Sequence, residues 1–178
     1  IVIGEHSSRG ISCALKHFPG HGSSQSDSHL GVVDVTNTWQ QYELDPYCYL
    51  FVKNIVDMVM TAHIFNGNID GVYPATLSYS TITGVLRNTL GFDGVVITDD
   101  MNMKAIADNY GFEKAVELSI NAGGYIILGA NKVQYNKYAA DTTYQTIRRL
   151  YSDGKISLER IRQSYTRIMA LKAKRLAS

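Results

Sequence analysis

Four short apolar runs recur along the chain and limit its possible folds more than any other feature. They lie at residues 11–18, 57–63, 94–99 and 124–128, a spacing of about 30–45 residues that is typical of strand–helix–strand units. Each run is continuously apolar rather than alternating, as in strands buried on both faces of a parallel sheet. The sequence therefore predicts an α/β fold, either a doubly wound sheet or part of a (β/α)₈ barrel.

Helical patterns fill the segments between these runs. The predicted helices lie at residues 38–54, 80–90, from 104, 112–122, and from 142 onward in two parts separated by 152–154. Proline is tolerated in the first turn of a helix but not in its interior, so the first helix is expected to begin near Pro46. Ser80 or Thr81 is the expected N-cap and Gly91 the C-terminal stop of the second, and Ser157 caps the last.

The length of 178 residues suits one domain, which we expect to span residues 1–178. A complete (β/α)₈ barrel needs roughly 250 residues, so four units correspond to about half of one. The net charge of +1 gives no electrostatic reason to expect a nucleic-acid partner. The basic end, residues 172–175, is interpreted as a solvated last helical turn.

Cys13 and Cys48 are too few for a disulfide framework, and we expect both to be small buried residues. There is no run of 18 apolar residues that would predict a membrane span. The chain starts at Ile1 without a recognisable signal peptide. A cytoplasmic, periplasmic or secreted location in a bacterium is therefore left open.

Polar side chains collect where three of the predicted strands end. Lys16 and His17 end the first, His63 ends the second, and Asp99 and Asp100 end the third. In both candidate architectures the C-terminal strand ends form the active face. A lysine at the end of a buried strand is costly unless it is paired or functional. We therefore expect a catalytic site at this edge of the sheet.

Each of these polar groups has a structural alternative. His63 is equally compatible with a hydrogen-bonded core histidine, and Asp100 with a helix cap. Asp34, Asp57 and Asp93 are interpreted as turn or cap residues.

Common cofactor and nucleophile motifs are not found. His17 and His21 have metal-ligand spacing, but Pro19 and Gly20 between them prevent a helix from aligning the pair. There is no glycine-rich phosphate loop and no Gly-x-Ser-x-Gly motif. We expect neither a metal nor a cofactor.

Asp27 and His29 suggest a different chemistry. An aspartate two residues before a histidine can accept the imidazole N–H and raise the basicity of the ring. Asp99, on a separate rigid strand end, can act as a nucleophile. An acid/base and a nucleophile together suit double-displacement transfer.

Four sequence blocks carry a family resemblance. They are Lys16-His-Phe-Pro-Gly-His-Gly22, Asp27-Ser-His29, Met60-Thr-Ala-His63 and Gly91-Phe-Asp-Gly-Val-Val-Ile-Thr-Asp-Asp-Met101. Together they resemble glycoside hydrolase family 3, in particular its β-N-acetylhexosaminidase branch. The resemblance implies a (β/α)₈ barrel of which this chain supplies about the C-terminal half.

The resemblance also implies roles for individual residues. Asp99 would be the nucleophile, and His29 the acid/base with Asp27 as its partner. Four residues would bind the substrate: Lys16, His17, His63 and Met103. The implied partner is an oligosaccharide or muropeptide that contains N-acetylglucosamine, as in peptidoglycan recycling.

Two departures from the family leave alternatives open. The upstream half is missing, and Ala122-Gly-Gly-Tyr125 stands where relatives often have Ala-Gly-x-Asp. The second interpretation is a β-glucosidase or β-xylosidase of the same family. The third is an inactive half-barrel that binds sugar or oligomerises, because open sheet edges invite pairing with a missing half or a second copy.

Overall fold

The centre of the molecule is a parallel sheet whose strands lie side by side in chain order. The computed structural model describes residues 2–25, 31, 33–130 and 135–176. Its main sheet has the order β1 (Ala14–Phe18), β3 (Met58–Thr61), β5 (Val95–Ile97). A doubly wound sheet would reverse its order at a switch point, whereas a barrel adds each strand beside the last. The order within the described residues therefore favours the barrel.

The remaining elements surround this sheet. A second, two-stranded parallel sheet pairs β2 (Val33–Asp34) with β4 (Ile64–Phe65). The helices are α1 (Val2–Ser7), α2 (Asp45–Val52), a π-helix (Ser80–Thr89), α3 (Lys104–Tyr110), α4 (Phe112–Ala122), α5 (Ala139–Ser152) and α6 (Leu158–Leu176), with 3₁₀ turns at Gln41–Leu44 and Ala75–Leu77. No helix in the described ranges is both long and apolar enough to cross a membrane.

The fourth predicted strand is only partly formed. Ile126 makes a single parallel bridge to Ile97, on the outer side of β5. Two residues later, the Leu128 N–H donates to the Thr98 side-chain oxygen at 2.9 Å rather than to a backbone carbonyl. The prediction of a strand over 124–128 was therefore wrong in extent, because a side chain takes the place of the next ladder partner.

One hydrophobic cluster joins the sheet to the helices around it. Phe18, Val59 and Val96 come from the three strands and are fully buried. Tyr47 from α2 and Leu86 from the π-helix pack on them, with other buried and partly buried side chains in the same cluster. Burying these side chains removes apolar surface from water, which is the main force that holds the helices on the sheet.

The helix boundaries correct several expectations. The expected helix over 38–54 is a 3₁₀ turn followed by α2, with Pro46 in the first turn as predicted. Ser78, rather than Ser80 or Thr81, caps the π-helix, because its hydroxyl accepts the Thr81 N–H at 2.9 Å. Gly91 ends this helix with a φ of 69°, which glycine adopts without steric penalty.

The two cysteines are less buried than expected. Cys48 is exposed and Cys13 is partly buried. Tyr47 is the buried residue of α2, and the next position on a helix lies about 100° around the axis, which turns Cys48 outward.

Asp57 and the basic C-terminus also differ from expectation. The Asp57 side chain is 1% exposed, and it accepts Lys174 Nζ at 3.2 Å and a second hydrogen bond from Arg175. Its carboxylate lies 3.4 Å from the Cys13 backbone N–H, and Arg175 also donates to Ser7. The end of α6 is therefore bound to the residue that precedes β3 and to α1, and is not a solvated turn.

Candidate active site

Two of the predicted site residues meet at the C-terminal edge of the sheet. His17 lies near the end of β1, and Asp99 follows β5, on the opposite side of β3. The His17 Nε2 and Asp99 Oδ2 atoms are 3.6 Å apart, and the side chains are 26% and 19% exposed. Because the strands are parallel, residues 82 positions apart in the chain share one cleft.

The Asp99 carboxylate is oriented by the backbone N–H of the next residue. Its Oδ1 accepts the Asp100 N–H at 2.8 Å, while Oδ2 faces His17. A separation of 3.6 Å exceeds hydrogen-bond distance. Among the described residues neither facing atom has a hydrogen-bond partner, so both keep capacity for a polar group of a ligand, such as a sugar hydroxyl.

The environment of His17 keeps its ring neutral. Burial lowers the pKa of His17 below its ordinary value of 6.5; the Asp99 charge opposes this, and the Lys16 charge adds to it. At neutral pH the imidazole therefore carries one N–H donor and one acceptor nitrogen. A neutral ring of this kind can both donate to and accept from hydroxyl groups.

A cavity of about 360 Å³ adjoins the end of β1. Lys16, His17, His21, Tyr42 and Glu43 are among the residues that line it, whereas Asp99 does not line it and faces His17 from beside it. Its size falls within the range of small-molecule sites. The exposed lysine and tyrosine at this cavity give it a cation and an aromatic face beside the histidines.

Glu43 holds the first part of the loop that follows β1. Its carboxylate accepts the Ser23 hydroxyl at 2.6 Å and the Gly22 N–H at 3.3 Å. Gly20 has a φ of 118°, and a Cβ there would lie 2.7 Å from the Glu43 side chain, so glycine is required. No motif in the sequence pointed to Glu43; an acidic residue in a 3₁₀ turn is an unremarkable pattern.

The predicted acid/base pair belongs to the continuation of this loop. Asp27 and His29 lie outside the described residues, which after residue 25 include residue 31 and then 33–130. Their roles therefore stay predictions.

His63 and Met103 are placed behind the cleft. His63 is 1% exposed; Nδ1 lies 2.9 Å from the Thr76 hydroxyl and Nε2 lies 2.9 Å from the Asp100 carbonyl oxygen. Met103 is 5% exposed, and neither residue lines the cavity beside β1. The structure favours the core-histidine alternative for His63, which supports the backbone next to Asp99.

Asp100 has a structural role at the same strand end. Its carboxylate accepts the N–H groups of Asn102 and Ala130, each at 3.1 Å. Of the two adjacent aspartates, Asp99 is therefore the one with an oxygen directed at the cleft. Among the described residues, no group of three or more histidines, cysteines and acids gathers as a metal site would require.

Comparison with known proteins identifies the family. The profile of the glycosyl hydrolase family 3 N-terminal domain matches residues 2–171. The chain belongs to glycosyl hydrolase family 3 and is part of a TIM-type barrel, as the strand order indicates.

Three relatives show the degree of similarity. Beta-hexosaminidase A from Pseudoalteromonas piscicida is 32% identical over 93% of this chain and 30% of its own length. A family 3 β-N-acetylglucosaminidase structure from Paenibacillus is 34% identical with a TM-score of 0.89, covering 98% of this chain and 33% of that one. The β-N-acetylglucosaminidase structure from Thermotoga maritima is 36% identical with a TM-score of 0.76, covering 98% and 37%. The chain thus spans about a third of the length of these relatives.

Proposed function

We propose that this chain carries the nucleophile and part of the sugar pocket of a retaining β-N-acetylhexosaminidase. The observation that supports this most directly is the partly exposed Asp99 carboxylate, with one oxygen held by the backbone and the other facing His17 across the cleft. The relatives named as beta-hexosaminidases and β-N-acetylglucosaminidases support the substrate class.

The proposed reaction proceeds by double displacement. Asp99 Oδ2 attacks the anomeric carbon while the bond to the leaving oxygen breaks, and a glycosyl-enzyme ester forms. His29, oriented by Asp27, gives its proton to the leaving oxygen. In the second step His29 takes a proton from water, and the water oxygen displaces Asp99. Two inversions at one carbon retain its configuration.

Lys16 and the neutral His17 suit the binding of hydroxyl groups. The Lys16 ammonium is exposed beside the cavity and offers only donors. His17 offers one donor and one acceptor nitrogen, and its Nε2 lies 3.6 Å from the attacking oxygen. A sugar held by both would place its anomeric carbon close to Asp99, which converts the attack into an intramolecular step.

The test is hydrolysis of aryl glycosides by the 178-residue chain. p-Nitrophenyl N-acetylglucosaminide should be a better substrate than p-nitrophenyl glucoside. Asp99→Ala should abolish turnover, and His29→Ala should slow poor leaving groups more than good ones, because only poor ones need the proton. Equal rates for both variants and the wild type would overturn the mechanism, and a preference for the glucoside would favour the β-glucosidase alternative.

A half-barrel that binds sugar or oligomerises is the second candidate. It is favoured by one observation: among the described residues β1 has a strand neighbour on one side only, β3, which leaves an open sheet edge for pairing. Sedimentation combined with the assay separates the two candidates. A dimer that binds the sugar without turnover supports the module, and a monomer that turns over substrate contradicts it.

A further inference from the structure

We propose that a second pocket, at the opposite edge of the sheet, binds a small phosphate-bearing anion. The pocket surrounds Tyr125, which precedes the Ile126 bridge. Arg87 near the end of the π-helix, and Arg160 and Arg167 on α6, line it together with Asp93. This site is independent of the proposed glycosidase chemistry, because none of its residues lines the cavity beside β1.

Three guanidinium groups converge on one aromatic ring. Their central carbons lie 4.8 Å for Arg87, 4.6 Å for Arg160 and 5.4 Å for Arg167 from the centre of the Tyr125 ring. Each is attracted to the ring by a cation–π contact. The ring does not neutralise them, so the three positive charges repel one another across it.

The positive charge of the cluster is only partly compensated. The cavity has a volume of about 510 Å³, and Asp93 is the one carboxylate among the described residues that line it. Asp93 is paired with Arg167, and its side chain is 86% exposed. Three guanidinium groups therefore share one solvated carboxylate.

Arg87 carries the least compensated charge. Its Nη1 donates to the Phe92 carbonyl at 2.6 Å and to the Gly94 carbonyl at 2.7 Å. Its Nε and Nη2 atoms are buried and have no hydrogen-bond partner among the described residues. Burial lowers the pKa of Arg87 to about 10, and the nearby Arg167 charge adds to this effect, whereas Tyr125 and Asp93 oppose it. A buried cation in this state is stabilised by any negative charge that enters the cavity.

Arg160 and Arg167 have N–H groups to spare for such an anion. Arg160 uses Nε and Nη2 on the carbonyls of Ile120 and Gly124 and one N–H of Nη1 on the Gln163 side-chain oxygen. Arg167 donates to the carbonyl and carboxylate of Asp93 and to the Tyr125 hydroxyl. A guanidinium has five N–H donors, so each retains some. The bonds to backbone carbonyls hold the guanidinium groups of Arg160 and Arg167 in place in the absence of a ligand.

A phosphate group fits this arrangement best. Its oxygens accept several hydrogen bonds at once from planar guanidinium groups. A lysine ammonium is a point charge and does not offer this paired geometry. A dianion also supplies the charge that the cluster lacks. The same chemistry is present in free inorganic phosphate and in a sugar phosphate, so both are used as probes.

The test is calorimetric titration of the 178-residue chain with inorganic phosphate and with glucose 6-phosphate, at constant ionic strength in chloride. We expect saturable binding of at least one probe. Tyr125→Asp places a carboxylate among the arginines and should weaken binding at least about tenfold, whereas Tyr125→Phe keeps the ring and should change it less than about threefold. Asp93→Asn removes the competing carboxylate and should strengthen binding severalfold.

Unfolding curves of all variants identify any that fail to fold, and Asp93→Asn keeps the proposal testable if Tyr125→Asp is one of them. Tighter binding of glucose 6-phosphate than of inorganic phosphate would identify a sugar phosphate as the ligand. Absence of binding by the wild type to both probes would overturn the proposal. Equal affinity of wild type, Tyr125→Asp and Asp93→Asn would overturn it as well, since binding would then lie elsewhere.

Discussion

Strand β5 has an aspartate at each end, and the two are in opposite situations. Asp93, before the strand, is 86% exposed and paired with Arg167. Asp99, after the strand, is 19% exposed and faces His17 at 3.6 Å, beyond hydrogen-bond distance. The same residue type is thus an ion-pair partner at one edge of the sheet and a carboxylate available to a ligand at the other.

The same contrast holds along β3. Asp57, just before the strand, is buried and bound by Lys174 and Arg175 from the far end of the chain. The backbone after the strand leads to His63, which supports Asp100 beside the cleft. In barrels of this type the N-terminal edge contributes to stability and the C-terminal edge to catalysis. Substitutions at the two edges should therefore separate stability from activity.

The largest expected effect on activity is at the C-terminal edge. Asp99→Ala removes the proposed nucleophile and should lower kcat by at least about 10³-fold. It should change the free energy of unfolding by less than about 1 kcal/mol, because the His17 ring that faces it is neutral at neutral pH and forms no ion pair with it. Rates on p-nitrophenyl N-acetylglucosaminide and urea unfolding curves measure the two quantities.

Asp93→Ala is the matched control at the other end of the same strand. It removes an exposed ion pair, which contributes about 0–1 kcal/mol, and should leave kcat within about twofold of wild type. If the two variants lost activity equally, the two edges would not differ in function as the contrast requires.

The largest expected effect on stability is at Asp57. Asp57→Ala leaves Arg175, whose side chain is 12% exposed, without its carboxylate. Removing one partner of a buried ion pair costs about 3 kcal/mol or more. Chemical denaturation should show this loss, while the folded fraction should keep its kcat.

Asp153→Ala, in the exposed turn between α5 and α6, is the control for Asp57→Ala. It should change the free energy of unfolding by no more than about 0.5 kcal/mol. A loss below about 1 kcal/mol in Asp57→Ala would mean that the ion pair does not fasten α6 to the sheet.

Local patterns allowed most of the fold to be predicted. Continuous apolar runs identified β1, β3 and β5, and Gly91 marked the end of the π-helix. The predicted extent of the fourth strand was wrong, because an apolar run does not show that the Thr98 hydroxyl replaces a backbone hydrogen-bond partner. The spacing of the runs also left two architectures open until the strand order decided between them.

Long-range contacts were the part that local patterns could not reveal. Asp57 was interpreted as a turn residue and the basic end as a solvated turn, although they bind each other across 118 positions. Glu43 was missed because nothing in a 3₁₀ turn indicates that its carboxylate holds a loop 20 residues upstream. His17 and Asp99 were predicted as site residues from a motif resemblance and from their positions at strand ends, and the parallel sheet brings the two side chains together.

A smaller effect on catalysis is expected from Glu43. Glu43→Ala removes the acceptor of Ser23 and Gly22 and releases the start of the loop that leads to the predicted acid/base. The kcat should fall about tenfold, and more for poor leaving groups, because proton transfer depends on the position of the acid. Stability should change little, since the carboxylate contacts a partly exposed loop.

Gln41→Ala, in the same 3₁₀ turn and exposed, serves as the control for Glu43. It should leave both kcat and its dependence on the leaving group unchanged. A uniform loss across all leaving groups in Glu43→Ala would contradict a role in positioning the acid and indicate a general distortion of the cleft.

The smallest effect is the titration of His17, and it examines the C-terminal edge directly. Burial holds the pKa of His17 below 6.5 even though the Asp99 charge raises it. Asp99→Asn should therefore lower this pKa further, which proton NMR of the ring can follow. An increase in Asp99→Asn would contradict the contact between the two side chains.

The sign of the associated pH dependence follows from the same shift. Between the lowered pKa and 6.5, the unfolded chain binds more protons at His17 than the folded one, so stability rises with pH in that window. The contribution is complete above pH 6.5 and is lost as the pH falls through the folded pKa. The free energy of unfolding, measured from pH 7.5 down to pH 5, should therefore fall more steeply for the wild type than for His17→Asn. It should fall more steeply still for Asp99→Asn, because the histidine of that variant resists protonation more strongly. Parallel curves for all three would show that the cleft does not hold this ring neutral.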